Sequence, residues 1–324
     1  MTAGNYILTL APGADAKAVV RELVRRGLWV KATDGAQLLV LPHSAAVAPA
    51  SLGDVPGVVA VAAPPSEHPR VDAHPPRIDV AGVPFGGGAP PVLLAGPCAV
   101  ESEEQIAATA RAAARAGAKF LRGGAFKPRT SPYAFSGHGA EALAWLRRAA
   151  DAVGLRVVTE VLSEADVPAV AAAADLIQIG SRNMQNFALL RAAARAGKPL
   201  LLKRGMAATI EEWLLAAEHC LHHGAPSVVF CERGIRGFDP STRNLLDLGA
   251  VALLAHVHRL PVVCDPSHAA GRRDLVVPLG RAALAAGAAG LLVEIHERPG
   301  EALSDGPQAL PPAALPAFLE VAHG

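Results

Sequence analysis

The sequence predicts an α/β protein in which a small ferredoxin-like domain precedes a (β/α)8 barrel. Two observations predict the barrel. After Pro91, eight short apolar runs alternate with alanine-rich amphipathic segments such as residues 103–116 and 210–222. The repeats fill about 230 residues, the usual size of such a barrel, whereas an open doubly wound sheet more often stops at about five to seven strands. The apolar runs are residues 92–95, 120–121, 156–161, 176–179, 200–202, 227–230, 262–263 and 290–293.

The first 65 residues predict a separate domain. Their apolar patterning indicates elements in the order βαββαβ, which is typical of a ferredoxin-like fold. The predicted strands are residues 6–10, 29–33, 37–41 and 58–62, and the predicted helices are residues 15–26 and 44–52. Residues 66–91 are rich in proline and glycine and predict a linker, with a short hairpin between residues 78–79 and 83–85. The chain therefore divides into residues 1–65, 66–91 and 92–324.

Charge and hydropathy exclude several classes of function. The net charge is +1, so no overall field attracts nucleic acid or an acidic membrane surface. No uncharged apolar stretch reaches the roughly 18–20 residues of a membrane span. The N-terminus lacks the basic and apolar regions of a signal peptide. These features predict a cytoplasmic protein.

The four cysteines show no CxxC spacing, so we expect reduced thiols rather than a disulfide framework. Cys220, Cys231 and Cys264 have apolar neighbours and are predicted to lie in the core. Cys98 differs, because it follows Gly96-Pro97 where a strand ends and a loop begins.

The ends of the eight predicted strands carry the main functional signal. Active sites of such barrels lie at the C-terminal ends of the strands. Any one polar residue there could be a surface group or a satisfied core group, but all eight ends carry a residue able to bind a metal, an anion or a proton. This regularity predicts an enzyme. The residues are Cys98, Arg122, Glu160, Arg182, Lys203, Arg233, His268 and Glu294.

Part of this set has the chemistry of a metal site. Cys98, His268 and Glu294 offer a thiolate, an imidazole and a carboxylate, and Asp305 in the following loop adds a second carboxylate. Mixed sulfur, nitrogen and oxygen donors suit Mn, Fe, Co or Zn better than Ca or Mg. Glu160 stays outside both sets as a candidate proton carrier.

The remaining residues form a cationic set. The loop after residue 121 packs three cations close to glycines and small hydroxyls, as a site for phosphate or carboxylate groups requires. A solvated basic loop is the alternative, but this loop directly follows a mostly apolar, strand-like segment at residues 118–121 and contains no acidic residue. Several cations in one pocket repel unless anions compensate them, so the substrates should carry several negative charges. The set is Arg122, Lys127, Arg129, Arg182, Lys203 and Arg233.

Seven motifs of the chain resemble those of 3-deoxy-7-phosphoheptulonate (DAHP) synthases, in particular the type I beta subfamily with an N-terminal ferredoxin-like regulatory domain. They are AGPCAVES (95–102), RGGAFKPRTSPY (122–133), IQIGSRNMQ (177–185), PLLLKRGM (199–206), ERGIR (232–236), DPSH (265–268) and LSDGP (303–307). The resemblance implies a transferase that condenses phosphoenolpyruvate with erythrose 4-phosphate, the first step of the shikimate pathway to aromatic amino acids.

The resemblance also implies roles for individual residues. Cys98, His268, Glu294 and Asp305 would bind a divalent metal ion, with Mn expected and Fe, Co or Zn as alternatives. Arg182, Lys203 and Arg233 would hold the phosphate of phosphoenolpyruvate, and Arg122 and Lys127 would lie near its carboxylate. Arg129 and Thr130 would bind the sugar phosphate. Lys127 and Glu160 are the candidate proton-transfer groups, with Cys98 and His268 also assigned to the catalytic centre. Tyrosine or phenylalanine is the implied effector, and a homotetramer the implied assembly.

Two alternatives remain open at this point. A sister family, 3-deoxy-octulosonate 8-phosphate synthase, uses arabinose 5-phosphate and typically carries KANR where this chain has Lys127-Pro128-Arg129-Thr130. KPRT therefore favours the four-carbon sugar phosphate. A barrel retained only for sensing, without catalysis, would be expected to lack a ligand or a cation, and none is missing here.

Overall fold

The computed structural model describes residues 6–33, 36–41, 48–127, 131, 133 and 135–319. The chain forms two compact units, Met1–Glu67 and His68–Gly324. No helix within the described residues combines the length and the apolar character needed to cross a membrane.

The N-terminal unit contains the predicted antiparallel sheet. Its strands run in the order β2-β3-β1-β4, which together with βαββαβ connectivity makes a ferredoxin-like fold. The side chains of Leu8, Leu23 and Leu52 are fully buried between sheet and helices. Part of the predicted second helix, residues 44–47, lies outside the described residues. The elements are β1 (Tyr6–Leu10), α1 (Ala16–Arg25), β2 (Trp29–Ala32), β3 (Gln37–Leu41), α2 (Pro49–Gly53) and β4 (Val58–Ala62).

Most of the Pro/Gly-rich segment that predicted a linker belongs to the second unit. It forms α3 (Pro69–Asp72) and a hairpin of β5 (Arg77–Val80) and β6 (Val83–Gly86). Ile78, Val80 and Phe85 of the hairpin are buried in one cluster with side chains from all eight barrel strands. Apolar residues at alternate positions share one face of a strand, so the hairpin can close the N-terminal end of the barrel.

The second unit is built on a closed barrel of eight parallel strands, as predicted. Neighbours in the barrel follow the chain, and β14 pairs with β7 to close it. The strands are β7 (Val92–Gly96), β8 (Phe120–Arg122), β9 (Arg156–Val161), β10 (Leu176–Ile179), β11 (Leu200–Lys203), β12 (Val228–Glu232), β13 (Val262–Cys264) and β14 (Gly290–Glu294). Most strand residues are fully buried, which explains why their runs are apolar throughout rather than alternating.

Helices surround the barrel, and several of them begin at a residue whose side chain caps the first turn. In α8 the Thr209 hydroxyl accepts a hydrogen bond from the Glu212 amide, and the Glu212 carboxylate accepts one from the Thr209 amide. The Glu218 carboxylate of the same helix accepts hydrogen bonds from the backbone of α3. The helices after α3 are α4 (Glu103–Arg115), α5 (Ala140–Asp151), α6 (Val167–Ala173), α7 (Phe187–Arg195), α8 (Ile210–His222), α9 (Leu248–Ala252), α10 (Pro266–Ala270), α11 (Val276–Ala285) and α12 (Pro316–Leu319).

Candidate active site

A cleft opens at the C-terminal ends of the barrel strands. Seven of the predicted site residues line it: Lys127, Glu160, Arg182, Lys203, Arg233, His268 and Asp305. Cys98 and Glu294 are buried and contact Lys127 and His268 of this set, and the buried Arg122 contacts Glu294. Arg129 and Thr130 lie outside the described residues.

The four predicted metal ligands come together. One donor atom from each of Cys98, His268, Glu294 and Asp305 lies within 4.8 Å of the others. The Cys98 Sγ is 3.1 Å from Asp305 Oδ2, and His268 Nε2 is 3.3 Å from Glu294 Oε1 and 3.9 Å from Asp305 Oδ2. Donors bound to one ion at about 2.0–2.3 Å lie roughly 3–4 Å apart, so these residues fit a single transition ion.

The local sequence around His268 orients its imidazole toward the other three donor side chains. Asp265 caps α10, accepting a hydrogen bond from the His268 amide, and Pro266 occupies the first turn. The same Asp265 side chain lies 2.6 Å from Nδ1 of His268. Because Nδ1 is engaged, Nε2 is the nitrogen that faces the other three donors, an arrangement common for metal-binding histidines.

Titration behaviour in this cluster follows from burial and from neighbouring charges. Burial raises the pKa of the Cys98 thiol to about 12, so its thiolate needs cations beside it. Burial lowers the pKa of His268, which favours the neutral imidazole that binds metals. Burial opposes ionisation of Asp305, but His268, the Cys98 hydrogen bond and Arg243 hold its pKa at about 2. Burial likewise opposes ionisation of Glu294, yet His268 and Arg122 hold its pKa below the ordinary value.

Arg122 and Lys127 connect the four donors to the cleft. The buried Arg122 donates from Nη1 to Glu294 Oε1 at 2.6 Å and to the Pro97 carbonyl at 3.0 Å. Its Nε has no hydrogen-bond partner among the described residues. Lys127 donates from Nζ to the Cys98 carbonyl at 3.0 Å and to Cys98 Sγ at 2.9 Å. Both cations therefore stabilise negative charge on the donor set.

A glycine permits this approach of two strand ends. A Cβ at residue 96 would lie 1.8 Å from the carbonyl oxygen of Arg122. The glycine of the AGPC motif is thus required by the close packing of β7 against β8.

The cations of the cleft are not all alike. Lys203 donates to Asp265 Oδ2 at 2.5 Å, and both side chains are buried. Burial opposes ionisation of Asp265, but His268 and Lys203 hold its pKa well below the ordinary value. Arg182 and Arg233 form no salt bridge in the part of the chain that the structure describes. The sequence predicted that negatively charged substrates neutralise the clustered cations. That prediction now concerns mainly Arg182 and Arg233, because the carboxylate of Asp265 already neutralises Lys203.

Glu160 reaches the cleft from the end of β9. Its Oε2 accepts a hydrogen bond of 3.0 Å from Gln178 Nε2 on the neighbouring strand β10. A Cβ at residue 180 would lie 2.0 Å from Glu160 Oε1, so Gly180 leaves the space that this carboxylate occupies.

Sequence reasoning missed two residues that hold the site together. Asp265 was visible only as part of DPSH, where an acid three residues before a histidine on one helix could have signalled the contact. Arg243 lines the cleft and donates to Asp305 Oδ1 at 3.2 Å. It comes from the loop after β12, and no spacing in the sequence indicates that this loop reaches Asp305.

Comparison with known proteins gives consistent results. A profile described as the DAHP synthetase I family matches residues 69–323. A phospho-2-dehydro-3-deoxyheptonate aldolase of Thermotoga maritima is 53% identical over 233 residues, which are 72% of this chain and 69% of that protein. A 2-dehydro-3-deoxyphosphooctonate aldolase of Acidithiobacillus ferrooxidans is 34% identical over 249 residues, covering 71% of this chain and 87% of that protein.

Solved structures show the same relationship. The crystal structure of the phospho-2-dehydro-3-deoxyheptonate aldolase (DAHP synthase) of Thermotoga maritima superposes with a TM-score of 0.77 at 40% identity, covering 99% of this chain and 96% of that one. A truncated form of the 3-deoxy-D-arabino-heptulosonate 7-phosphate synthase of the same organism gives a TM-score of 0.71 at 46% identity, covering 78% of this chain and 92% of that one.

Replacing Asp265 tests the electrostatic basis of the site. Asp265→Asn keeps the shape and a capping oxygen but leaves Lys203 buried without its counter-charge, so the free energy of unfolding at pH 7 should fall by about 3–5 kcal/mol. The pKa of Asp265 is lower in the folded protein than the value of 3.8 expected for the unfolded chain. Its contribution to the free energy of unfolding is therefore fully present above pH 3.8 and is lost as the pH falls through the folded pKa. The deficit of the variant should therefore shrink below about pH 4.

Urea unfolding with a chelator present, at pH 7 and pH 3, measures this difference. Asp247→Asn is the matched control, since Asp247 is 28% exposed and shares Arg204 with Glu232. A deficit that is equal at both pH values would show that the charge of Asp265 is not what stabilises the fold.

Proposed function

Since the chain belongs to the DAHP synthetase I family, we propose that it condenses phosphoenolpyruvate with erythrose 4-phosphate to give 3-deoxy-D-arabino-heptulosonate 7-phosphate and phosphate. This reaction is the first step of the shikimate pathway. One observation carries the proposal: a cleft with uncompensated arginines adjoins a cluster of thiol, imidazole and two carboxylates. Two phosphorylated substrates and a metal ion match those two halves.

Cys98, His268, Glu294 and Asp305 would hold a divalent ion, for which we infer Mn, with Fe, Co or Zn as alternatives. When bound, such an ion supplies a Lewis acid that polarises an aldehyde carbonyl. The contribution of the chain is to keep the imidazole neutral and both carboxylates ionised before the ion arrives, as the pKa directions of His268, Glu294 and Asp305 indicate.

The cationic residues would hold phosphoenolpyruvate. Arg182, Lys203 and Arg233 would bind its phosphate, and Arg122 and Lys127 would lie near its carboxylate. The buried Nε of Arg122, which has no partner among the described residues, supports a role in binding an anion. Guanidinium groups bind phosphate and carboxylate bidentately, so they orient the substrate as well as neutralise it. Arg129 and Thr130 would bind the phosphate of the sugar.

In the reaction, C3 of phosphoenolpyruvate forms the new carbon–carbon bond to the aldehyde carbon, and water adds to C2. Cleavage of the C2–O bond then releases phosphate, which the arginines retain as its charge grows. Glu160 and Lys127 are the groups we assign to proton transfer. Glu160 is held in the cleft by Gln178, and Lys127 lies between Cys98 and the cleft, so both are within the region where protons must move.

The alternative reaction, that of a 3-deoxy-octulosonate 8-phosphate synthase, differs from the proposed one only in the sugar phosphate, which would be arabinose 5-phosphate. Relatives named 2-dehydro-3-deoxyphosphooctonate aldolase share 31–34% identity with this chain, against 53% for the heptonate aldolase. KPRT at residues 127–130 also favours the four-carbon sugar phosphate. The complete sets of ligands and cations argue against a barrel that only senses metabolites.

A regulatory role is the function we assign to residues 1–65. They supply none of the side chains assigned to catalysis and form a compact unit of their own. We infer that tyrosine or phenylalanine binds there, in an assembly that we take to be a homotetramer. Feedback by an end product requires a second site with different affinity for two arrangements of the protein.

A substrate assay tests the reaction. We expect phosphoenolpyruvate to be consumed rapidly with erythrose 4-phosphate and at least about 100-fold more slowly, in kcat/KM, with arabinose 5-phosphate, a preference that corresponds to about 2.7 kcal/mol. Release of inorganic phosphate, followed continuously, gives both rates. Preference for arabinose 5-phosphate would make the octulosonate reading correct, and no consumption with either sugar would favour the sensing barrel.

Metal removal tests the ligand assignment. Chelation should abolish turnover, and added Mn²⁺ should restore it, because the four donors would hold the ion. Cys98→Ala should remain folded yet show little turnover, since it removes one donor and little volume. Cys220→Ala, which alters a buried thiol outside the cluster, is the control. Full activity of Cys98→Ala would contradict the assignment.

Removal of the N-terminal unit tests regulation. A chain beginning at His68 retains α3 and the hairpin that closes the barrel, whereas a chain beginning near Ile78 would lose the contact of α3 with Glu218. The longer version should keep turnover and lose inhibition by tyrosine or phenylalanine. Indifference of the full chain to all three aromatic amino acids, chorismate and prephenate would contradict a regulatory role.

A further inference from the structure

Asp305 is the least constrained of the four metal-ligand candidates. Cys98 and Glu294 are buried at strand ends, and His268 lies on a helix, whereas Asp305 sits in a loop with its side chain 25% exposed. Its backbone φ is +54°, a conformation that non-glycine residues adopt rarely and that local structure must maintain. The position of its carboxylate therefore depends on side-chain contacts.

One arginine contacts this carboxylate from outside the donor cluster. Arg243 donates from Nη1 to Asp305 Oδ1 at 3.2 Å, while Asp305 Oδ2 faces Cys98 and His268. The two oxygens thus have separate partners. Arg243 engages the outer oxygen and leaves the inner one directed at the ion position.

The same nitrogen of Arg243 reaches a second ligand indirectly. Nη1 donates to Gln308 Oε1 at 3.1 Å, and Gln308 Nε2 donates to Glu294 Oε2 at 2.6 Å. Gln308 is only 2% exposed, so its amide has little freedom apart from these two contacts. Glu294 Oε1 is the oxygen near His268 Nε2, so Gln308 also engages the outer oxygen of its carboxylate.

The backbone around Arg243 is itself fixed to the helix that carries His268. The backbone amide of Arg243 donates to the Ala270 carbonyl at 3.1 Å, and the backbone amide of Asn244 donates to the Ala269 carbonyl at 2.8 Å. Gly271, with φ +68°, lies against the arginine so closely that a Cβ there would be 2.5 Å from Arg243 Cβ. The backbone of Arg243 is thus held at a defined place relative to His268, and its 41% exposed side chain extends from there to Asp305 and Gln308.

We propose that Arg243 is a positioning residue of the metal centre, which orients Asp305 directly and Glu294 through Gln308. This inference rests on the metal-dependent function proposed above and adds a determinant of metal affinity. A thiolate and two carboxylates would carry more negative charge than a divalent ion neutralises, and Arg243 adds a positive charge beside Asp305 to those that Arg122 and Lys127 place beside Glu294 and Cys98. Contacts of this kind typically change metal affinity by roughly 10- to 100-fold.

The test measures metal binding itself, with the full chain and without substrates. Arg243→Ala should weaken Mn²⁺ binding by roughly 10- to 100-fold in competition with a chelator, and should alter the absorption of bound Co²⁺ because a ligand is misplaced. Arg243→Lys should recover part of the affinity, since an ammonium restores the charge but not the fork that serves two acceptors. Arg272→Ala is the matched control, because Arg272 is an exposed arginine that pairs with Asp274.

Gln308→Ala tests whether Arg243 orients Glu294 through Gln308. If Arg243 acts on Glu294 through Gln308, the double variant should lose less affinity than the two single losses combined. If the losses of Mn²⁺ affinity in the two single variants are fully additive, Arg243 does not act on Glu294 through Gln308. Arg243→Gln, which keeps most of the side-chain volume, and thermal unfolding of every variant separate a metal effect from a folding defect.

Unchanged Mn²⁺ affinity and Co²⁺ absorption in folded Arg243→Ala and Arg243→Gln would overturn the inference. This outcome is distinct from failure of the proposed function. Metal binding that depends on Arg243 in a protein inactive toward both sugar phosphates would uphold the inference and reject the reaction. Turnover with erythrose 4-phosphate together with metal binding that does not depend on Arg243 would support the proposed reaction and reject the inference about Arg243.

Discussion

The carboxylate of Asp265 connects the two halves of the cleft, and the remaining site geometry depends on it. Its Oδ2 contacts Lys203 Nζ at 2.5 Å and His268 Nδ1 at 2.6 Å, so one oxygen holds a residue of the proposed phosphate site and a residue of the donor cluster together. Because the group is fully buried, its charge is weakly screened. A change at either neighbour is therefore expected to disturb both halves.

Barrel closure determines which residues can meet at this edge. Strand β14 pairs with β7 such that Glu294 is opposite Gly96, two residues before Cys98. Residues nearly two hundred positions apart are thus adjacent because the sheet closes on itself. The hairpin of β5 and β6 fills the other end of the barrel, which leaves the C-terminal end as the open mouth. Parallel strands place all their C-terminal ends on one side, so polar residues that end each strand necessarily converge.

This convergence explains how much could be predicted from the sequence. The buried strands could be recognised because both of their faces are apolar, and the family identified from the motifs is confirmed by the profile match and by the Thermotoga maritima relative. Cys98, His268 and Glu294 could be grouped because strand ends share one location in a barrel. Loops offer no such rule. Arg243 reaches Asp305 across 62 positions through backbone contacts that no periodicity encodes. The hairpin at residues 77–86 was predicted, but the prolines around it suggested a linker and gave no sign that it packs into the barrel core.

The cations of the cleft fall into two electrostatic classes. Lys203, Arg122 and Arg243 each pair with a carboxylate, so the protein itself compensates their charge. Arg182 and Arg233 form no such pair within the described residues, and burial lowers the pKa of Arg233, which shows that its charge is held at a cost. An anion that enters the cleft therefore relieves these two arginines far more than the paired cations. The set proposed to bind phosphoenolpyruvate contains both classes, since Lys203 and Arg122 are paired with carboxylates and Arg182 and Arg233 are not. In that proposal the paired cations keep their places without substrate, and the two unpaired arginines supply most of the positive charge that the phosphate would neutralise.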